Sequence, residues 1–141
     1  MIATKPSRTR ACDGTQAKQR LRRASEFLEV ADLVVDERGK DASPVYASVA
    51  ASLAVLAGIA AADAACGQAL GERSRSENHR EAERLLEQIA GGKKAAADLR
   101  ELLNLKDKAQ YGFMKMSSPE LKKVMRRAKQ LVAFATESLG H

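Results

Sequence analysis

Eighteen consecutive residues, from Val45 to Ala62, carry no charge, and Asp63 alone interrupts the uncharged stretch before Gly71. A nearly uncharged segment of this length must be buried on most sides, either in a bilayer or at the centre of a protein. Ten of the nineteen residues 47–65 are alanine, which is barely apolar enough to drive insertion into a bilayer, and the charge of Asp63 would be costly there. The segment therefore predicts the central helix of a bundle and no membrane partner.

The length and composition of the chain favour one all-α domain. Its 141 residues are enough for a single core, and three Phe, two Tyr and no Trp leave alanine and leucine as the dominant apolar residues. Helices with small side chains can pack closely, whereas a sheet needs bulky cross-strand pairs. No strand is predicted.

Apolar residues at helical spacing and capping signals predict five helices. Short connections between successive helices favour an up-and-down antiparallel bundle. The predicted helices are Gln16–Asp36, a helix that Ser43 caps and that runs to Leu70, a helix from Ser76 to the Gly91-Gly92 pair, Lys94–Tyr111 and Ser118–Ser138.

The net charge of +6 comes from the beginning of the chain. Residues 1–23 hold seven cations and one acid, whereas the rest of the chain is balanced. We predict a basic, flexible arm over 1–14 and a single helical domain over 15–139. Such an arm is typical of proteins with an anionic partner, and the alternative is a disordered leader that only aids solubility.

Several function classes find no support in the sequence. Cys12 and Cys66 are too few for a disulfide framework and indicate a reduced, cytoplasmic chain, and no signal peptide is predicted. The sequence contains no glycine-rich phosphate loop, zinc-ligand cluster or paired-carboxylate site. We therefore expect no metal and no cofactor.

Arg73, Arg75 and His79 form the first candidate site. If Ser76 caps the third helix, His79 lies in its first turn, where free N–H groups and the helix dipole favour an anion. A neutral histidine at this position is a candidate general base, and the arginines are candidate phosphate ligands. The alternative is an exposed capping histidine in a charged loop.

The second candidate lies late in the fourth helix, and it carries a resemblance to a known family. The apolar face of this helix continues through Lys106 and Gln110, which must snorkel, pair or line a groove. The alanine-rich stretch 57–64 followed by Asn78-His79-Arg80, and the basic and apolar residues 128–134, are similar to the HEPN family of small prokaryotic helical domains. The residues that match a later motif of that family are Lys106, Asp107, Ala109, Tyr111 and Gly112.

The resemblance implies a HEPN-like bundle with a degenerate ribonuclease motif, because Lys106 stands where ribonuclease members carry arginine and Tyr111 where they carry histidine. It also implies a homodimer in which Lys106 and Tyr111 face a shared groove. The alternative is structural: Tyr111 closes the helix against the core, and Lys106 pairs with Asp63 or Asp107.

The third candidate is the basic side of the fifth helix together with the N-terminal arm. Cations at this density could follow a phosphate backbone, and the alternative is a solvated surface. The five cations are Lys122, Lys123, Arg126, Arg127 and Lys129.

These observations lead to three hypotheses. The first is a HEPN-like module that binds RNA, nucleotide or a partner protein in a toxin–antitoxin or defence setting, with an antitoxin or a nucleotidyltransferase as partner. Its binding residues are Arg73, Lys106, Asp107, Gln110 and Tyr111. The second is a metal-independent endoribonuclease that uses His79 with Arg75, and the third is a helical protein–protein adaptor.

Overall fold

Five helices and one small two-stranded sheet make up the part of the chain that the structure describes. The computed structural model describes residues 8–38, 44–75, 79–111 and 116–140, with the backbone alone described at 38, 44–45 and 107–111. The predicted all-α class is confirmed. The helices are α1 (Gly14–Arg38), α2 (Pro44–Leu70), α3 (His79–Glu87), α4 (Gly92–Tyr111) and α5 (Ser118–Ser138).

The uncharged helix α2 lies at the centre of the bundle, as predicted, and contacts each of the other four helices. Its small residues allow these helices to approach closely. A Cβ atom added at Gly58 would overlap Leu102 of α4 and would lie 3.3 Å from Leu131 of α5. Close packing of this kind explains why the segment is rich in alanine and contains glycine.

By length and composition alone, residues Tyr46–Leu70 of α2 are sufficient to cross a membrane. In the described structure, 72% of the most apolar window of this helix is buried against the rest of the chain. A core helix of a soluble protein has the same length and composition when other helices surround it.

Helices α4 and α5 run antiparallel, as the polar contacts between them show. Rising residue numbers on α4 meet falling residue numbers on α5, so the two helices run in opposite directions. The contacts are Lys94 to Gln130 at 3.1 Å, Asp98 to Arg127 at 2.6 Å and Glu101 to Lys123 at 3.3 Å. Gly91, with φ of 75°, makes the tight turn that joins α3 to α4.

The prediction that the chain contains no strand is wrong at two short segments. Strands β1 (Thr9–Ala11) and β2 (Glu72–Ser74) pair antiparallel, and the N–H of Cys12 continues the ladder by donating to the carbonyl of Gly71 at 3.0 Å. Three-residue strands carry too little alternation to be recognised in a sequence. The two strands pair because α1 and α2 pack together, which places the start of α1 beside the end of α2.

The ends of the helices follow the expected chemistry where the structure describes them. Ser117 and Glu120 form a capping box at the start of α5, with each side chain bonded to the backbone of the other. Gly71 has φ of 73° directly after α2, which ends at the predicted residue. The predicted caps Ser43 and Ser76 lie outside the described residues.

Candidate functional site

An open cleft of about 520 Å³ lies between α1 and α2, beside β2. Its volume is within the range of pockets that bind small molecules. The residues that line it are Gln16, Gln19, Arg20, Arg23, Phe27, Leu56, Ile59, Ala60, Asp63 and Arg73.

Three arginines from two elements meet at this cleft. Arg20 and Arg23 are three residues apart on α1, so their side chains lie on the same side of the helix. Arg73 comes from β2, and its Nη1 atom donates a hydrogen bond to the carbonyl of Ser74 at 3.1 Å. Since arginine stays charged at any physiological pH, the cleft has a permanently positive rim.

A single carboxyl lies at the base of the cleft among these arginines. Asp63 is 6% exposed, and its Oδ2 atom lies 3.8 Å from the Nε atom of Arg20. Burial raises the pKa of Asp63 to about 6, and the positive charges of Arg20 and Arg73 offset this rise only in part. An ionised Asp63 is therefore destabilising at neutral pH, and a perturbed carboxyl in a cleft is a marker of functional sites.

The other end of the cleft is apolar. The guanidinium carbon of Arg23 lies 5.9 Å from the centre of the Phe27 ring, and the exposed side chain of Leu56 lies on α2 nearby. A cation over an aromatic face gains about 0.5–1 kcal/mol at an exposed site. The cleft thus combines a cationic end with an aromatic and aliphatic end.

The two thiols next to this region are buried. Cys12 and Cys66 are both free and buried. Burial raises the pKa of the Cys12 thiol, with the charge of Asp63 as a smaller cause, and burial raises the pKa of Cys66 to about 12. Because the thiolate is the nucleophile, these cysteines act as small apolar residues, and a Cβ atom at Gly67 would overlap the sulfur of Cys12.

Of the residues predicted for the first candidate site, Arg73 lines the cleft, whereas Arg75 and His79 are not among the described residues that line it. Lys106 of the second candidate site does not line it either. His79 is the first residue of α3 and is half-buried. Burial lowers the pKa of His79, and the positive charge of Lys106 on α4 lowers it further. The antiparallel packing of α3 and α4 brings these two residues to one end of the bundle.

The remaining predicted site residues lie directly after β2 and in α4. The backbone N–H of Arg75 donates to the carbonyl of Arg8 at 3.0 Å, which extends the pairing of the two strands. Asp107, Gln110 and Tyr111 lie in the last turns of α4, and their side chains lie outside the described residues.

Of the two partners considered for Lys106, Asp63 is corrected by the structure, and the side chain of Asp107 lies outside the described residues. The ion pair of Asp63 is with Arg20, and the charges that act on its carboxyl are those of Arg20 and Arg73. The physical reason is position: Asp63 lies near the end of α2 that meets the start of α1, so Arg20 of α1 faces it across the cleft.

Three of the five cations on the basic side of α5 contact acids on other helices. Lys123 contacts Glu101, Arg127 contacts the buried Asp98, and Lys129 contacts Asp32 at 3.1 Å. Lys122 and Arg126 are exposed. Most of this cluster therefore holds α5 against its neighbours, which favours the structural alternative for it.

Sequence reasoning missed Arg20, Arg23 and Phe27 as site residues. With Gln16, these residues recur at helical spacing along one flank of the apolar face of α1. That periodicity is the available signal, but in the sequence the two arginines stand out only as part of the charge excess of residues 1–23. The position of β2 could not be derived from any local pattern.

Among the described residues, no group of three or more His, Cys, Asp or Glu side chains could hold a metal ion. No protein-family model matches this sequence, and no curated protein matches it. Membership of the HEPN family therefore stays a prediction.

Proposed function

We propose that this protein is a HEPN-like helical module that binds a nucleotide or RNA through a phosphate group held in the cleft between α1 and α2. The observation that supports this proposal is the meeting of Arg20, Arg23 and Arg73 around a cleft of about 520 Å³. Two of these arginines come from one helix and the third from a strand distant in sequence, so the tertiary fold assembles the cluster.

The chemistry of the arginines suits a phosphate. A guanidinium group is planar and offers parallel N–H donors that match two phosphate oxygens. Gln16 and Gln19 add amide donors and acceptors at the same rim. The ring of Phe27 offers a flat apolar surface on which a nucleobase stacks, at about 1–3 kcal/mol per base.

Asp63 holds and tunes this arrangement. At 3.8 Å from Arg20 it orients the guanidinium without a short bidentate pair, so the N–H donors of Arg20 stay available to a ligand. An acid whose pKa burial raises to about 6 costs stability at neutral pH, and this cost favours a functional role for Asp63.

The biological setting rests on the resemblance to the HEPN family. A cytoplasmic toxin–antitoxin or defence system, with an antitoxin or nucleotidyltransferase partner and a homodimeric HEPN-like bundle, is part of the proposal. The identity of the neighbouring gene product and a pull-down with it test this setting.

A binding titration tests the cleft. We expect fluorescent RNA and mononucleotides to bind with affinity that falls as salt increases, because phosphate contacts release counterions. Arg20→Gln and Arg73→Gln should each weaken binding roughly tenfold or more, as expected for a charged hydrogen bond. Arg126→Gln on the exposed side of α5 is the matched control and should bind like the wild type.

The same titration separates the two ligands. If an unlabelled mononucleotide displaces RNA from the cleft, the site binds a single nucleotide unit; if only longer RNA competes, the site follows a chain. The absence of salt-sensitive binding to either ligand would eliminate the proposal.

A metal-independent endoribonuclease remains a second candidate, because burial and Lys106 lower the pKa of His79 and so keep its ring neutral, as a general base requires. In this proposal His79 activates a 2′-hydroxyl and Arg75 stabilises the charged phosphorane. RNA cleavage in the presence of EDTA, compared between the wild type and His79→Ala, is the test. Equal cleavage by both proteins, or none, would exclude this function.

A further inference from the structure

Helix α1 carries its charges in two separate blocks. Residues 14–25 hold four cations and no acid, and residues 26–37 hold five acids and no cation. This order opposes the helix macrodipole, which favours acids near the N-terminus and cations near the C-terminus. The arrangement therefore does not stabilise α1 by itself and needs another explanation.

The outer side of α1 finds no charged partner within the described part of the chain. Lys18, Arg22, Asp36 and Glu37 are exposed and make no ion pair with any described residue. The neighbouring helix α2 carries Asp63 as its single charge. Within the described structure, Lys18, Arg22, Asp36 and Glu37 are thus available to a charged surface from outside.

Apolar residues lie beside the acidic block on the same helix. Leu33 and Val30 are 55% and 47% exposed and are the most exposed large apolar residues in the described structure. Leu33 borders a groove of about 340 Å³ between α1 and α5, which Leu28 and Val132 also line. Exposed apolar residues framed by charges are typical of a protein interface.

We infer that the outer side of α1 binds the same side of α1 in a second copy of this chain, antiparallel, about a two-fold axis near the middle of the helix. Such an axis places Lys18 and Arg22 of each copy opposite Asp36 and Glu37 of the other. The charge blocks of α1 are self-complementary in this arrangement, as an isologous interface requires.

This surface is separate from the phosphate cleft. At 100° per residue, Lys18, Arg22 and Leu33 lie on the opposite side of α1 from Arg20 and Phe27. Association through this side of α1 therefore leaves the cleft open, so phosphate binding in the cleft and dimer formation through α1 can each fail without the other.

Charge reversal tests the interface by sedimentation velocity at about 100 µM protein and low salt, where charge pairs are least screened. The wild type should be a dimer. The double variants Lys18→Glu/Arg22→Glu and Asp36→Lys/Glu37→Lys should each be monomeric, because like charges then face one another. An equimolar mixture of the two should form a heterodimer, since one outer surface is then acidic and the other basic.

Two controls make the result decisive. Lys122→Glu/Arg126→Glu changes the net charge by the same amount on the exposed side of α5 and should remain dimeric. Leu33→Lys should weaken the dimer at least about tenfold through the lost apolar contact. Circular dichroism of every variant identifies any loss of folding.

Three outcomes would overturn the inference. A monomeric wild type at this concentration means that α1 does not self-associate. Dimers that survive in both folded charge-reversal variants mean that another surface is used. Two folded monomeric variants that do not combine on mixing mean that their charges do not meet.

Discussion

The Nε atom of Arg20 lies 3.8 Å from the Oδ2 atom of Asp63, at the base of the cleft between the first two helices. The side chain of Arg20 is 40% exposed, whereas that of Asp63 is 8% exposed. The pair therefore joins a solvated cation to a desolvated acid. Because the contact is longer than a hydrogen bond, Arg20 does not fully compensate for the burial of Asp63.

Removing the charge of Asp63 should stabilise the protein at neutral pH. The pKa of this carboxyl is raised from 3.8 to about 6 in the folded state, so its contribution to stability is fully present below pH 3.8 and is lost as pH rises through 6. In urea unfolding, the free energy of unfolding of Asp63→Asn relative to the wild type should then be up to about 3 kcal/mol higher above pH 6 than below pH 4. A difference that does not vary with pH would contradict this assignment.

Protonation of Asp63 should strengthen anion binding. Below pH 6 the cleft loses its one buried negative charge while Arg20, Arg23 and Arg73 stay positive. A dinucleotide with a single phosphodiester keeps its charge over this range, so its affinity reports on the protein. We expect tighter binding at about pH 5 than at pH 8 in the wild type, and little pH dependence in Asp63→Asn.

Adding a methyl group to Gly58 should destabilise the bundle. A Cβ atom there would overlap the Leu102 side chain and press on Leu131, so α4 or α5 must shift. We expect Gly58→Ala to lower the free energy of unfolding by about 1–3 kcal/mol. Gly14→Ala is the matched control, because its Cβ atom would meet nothing closer than 3.9 Å. Equal stability of the two variants would show that α2 packs less closely than described.

The charge of Lys106 should have a measurable effect on the pKa of His79. Burial lowers the pKa of His79, and the positive charge of Lys106 lowers it further. Lys106→Met should therefore raise the pKa of His79 in an NMR titration of the ring, whereas Lys122→Met on the exposed side of α5 should not change it. An unchanged pKa of His79 in Lys106→Met would show that the charge of Lys106 does not act on His79.

The ion pair of Asp98 should matter more for stability than the surface pair beside it. Asp98 is 2% exposed and accepts a hydrogen bond from Arg127 at 2.6 Å. Asp98→Asn should cost about 2–4 kcal/mol in urea unfolding, because Arg127 loses its buried partner. Glu101→Gln breaks the exposed contact with Lys123 and should cost at most about 1 kcal/mol. A smaller loss for Asp98→Asn than for Glu101→Gln would contradict this order.

The helices were predictable because their signals are local. Pro44 and Gly71 bracket α2, and Ser118-Pro119-Glu120 marks the start of α5, since capping chemistry and apolar spacing act over a few residues. The lack of charge from Val45 to Ala62 was sufficient to place α2 at the centre, because no other position in a small domain buries so much apolar surface.

The cleft could not be predicted from local signals, because residues distant in sequence form it. The cost of burying Asp63 was evident from the uncharged segment around it, but its partner was not, because several cations could reach it in different folds. Arg20 meets Asp63 only when α1 runs antiparallel to α2, and Arg73 joins them only because β1 holds β2 beside the start of α1.

The sequence by itself determined the helical class, the central helix and the position of the one acid within it, because hydrophobic burial and helix capping depend on neighbouring residues. The tertiary structure decided which cations surround Asp63, that thiols Cys12 and Cys66 are both buried, and that a ribbon of two strands ties the start of the chain to the end of α2. Those features depend on how whole helices pack, and packing couples residues more than forty positions apart that no local pattern connects.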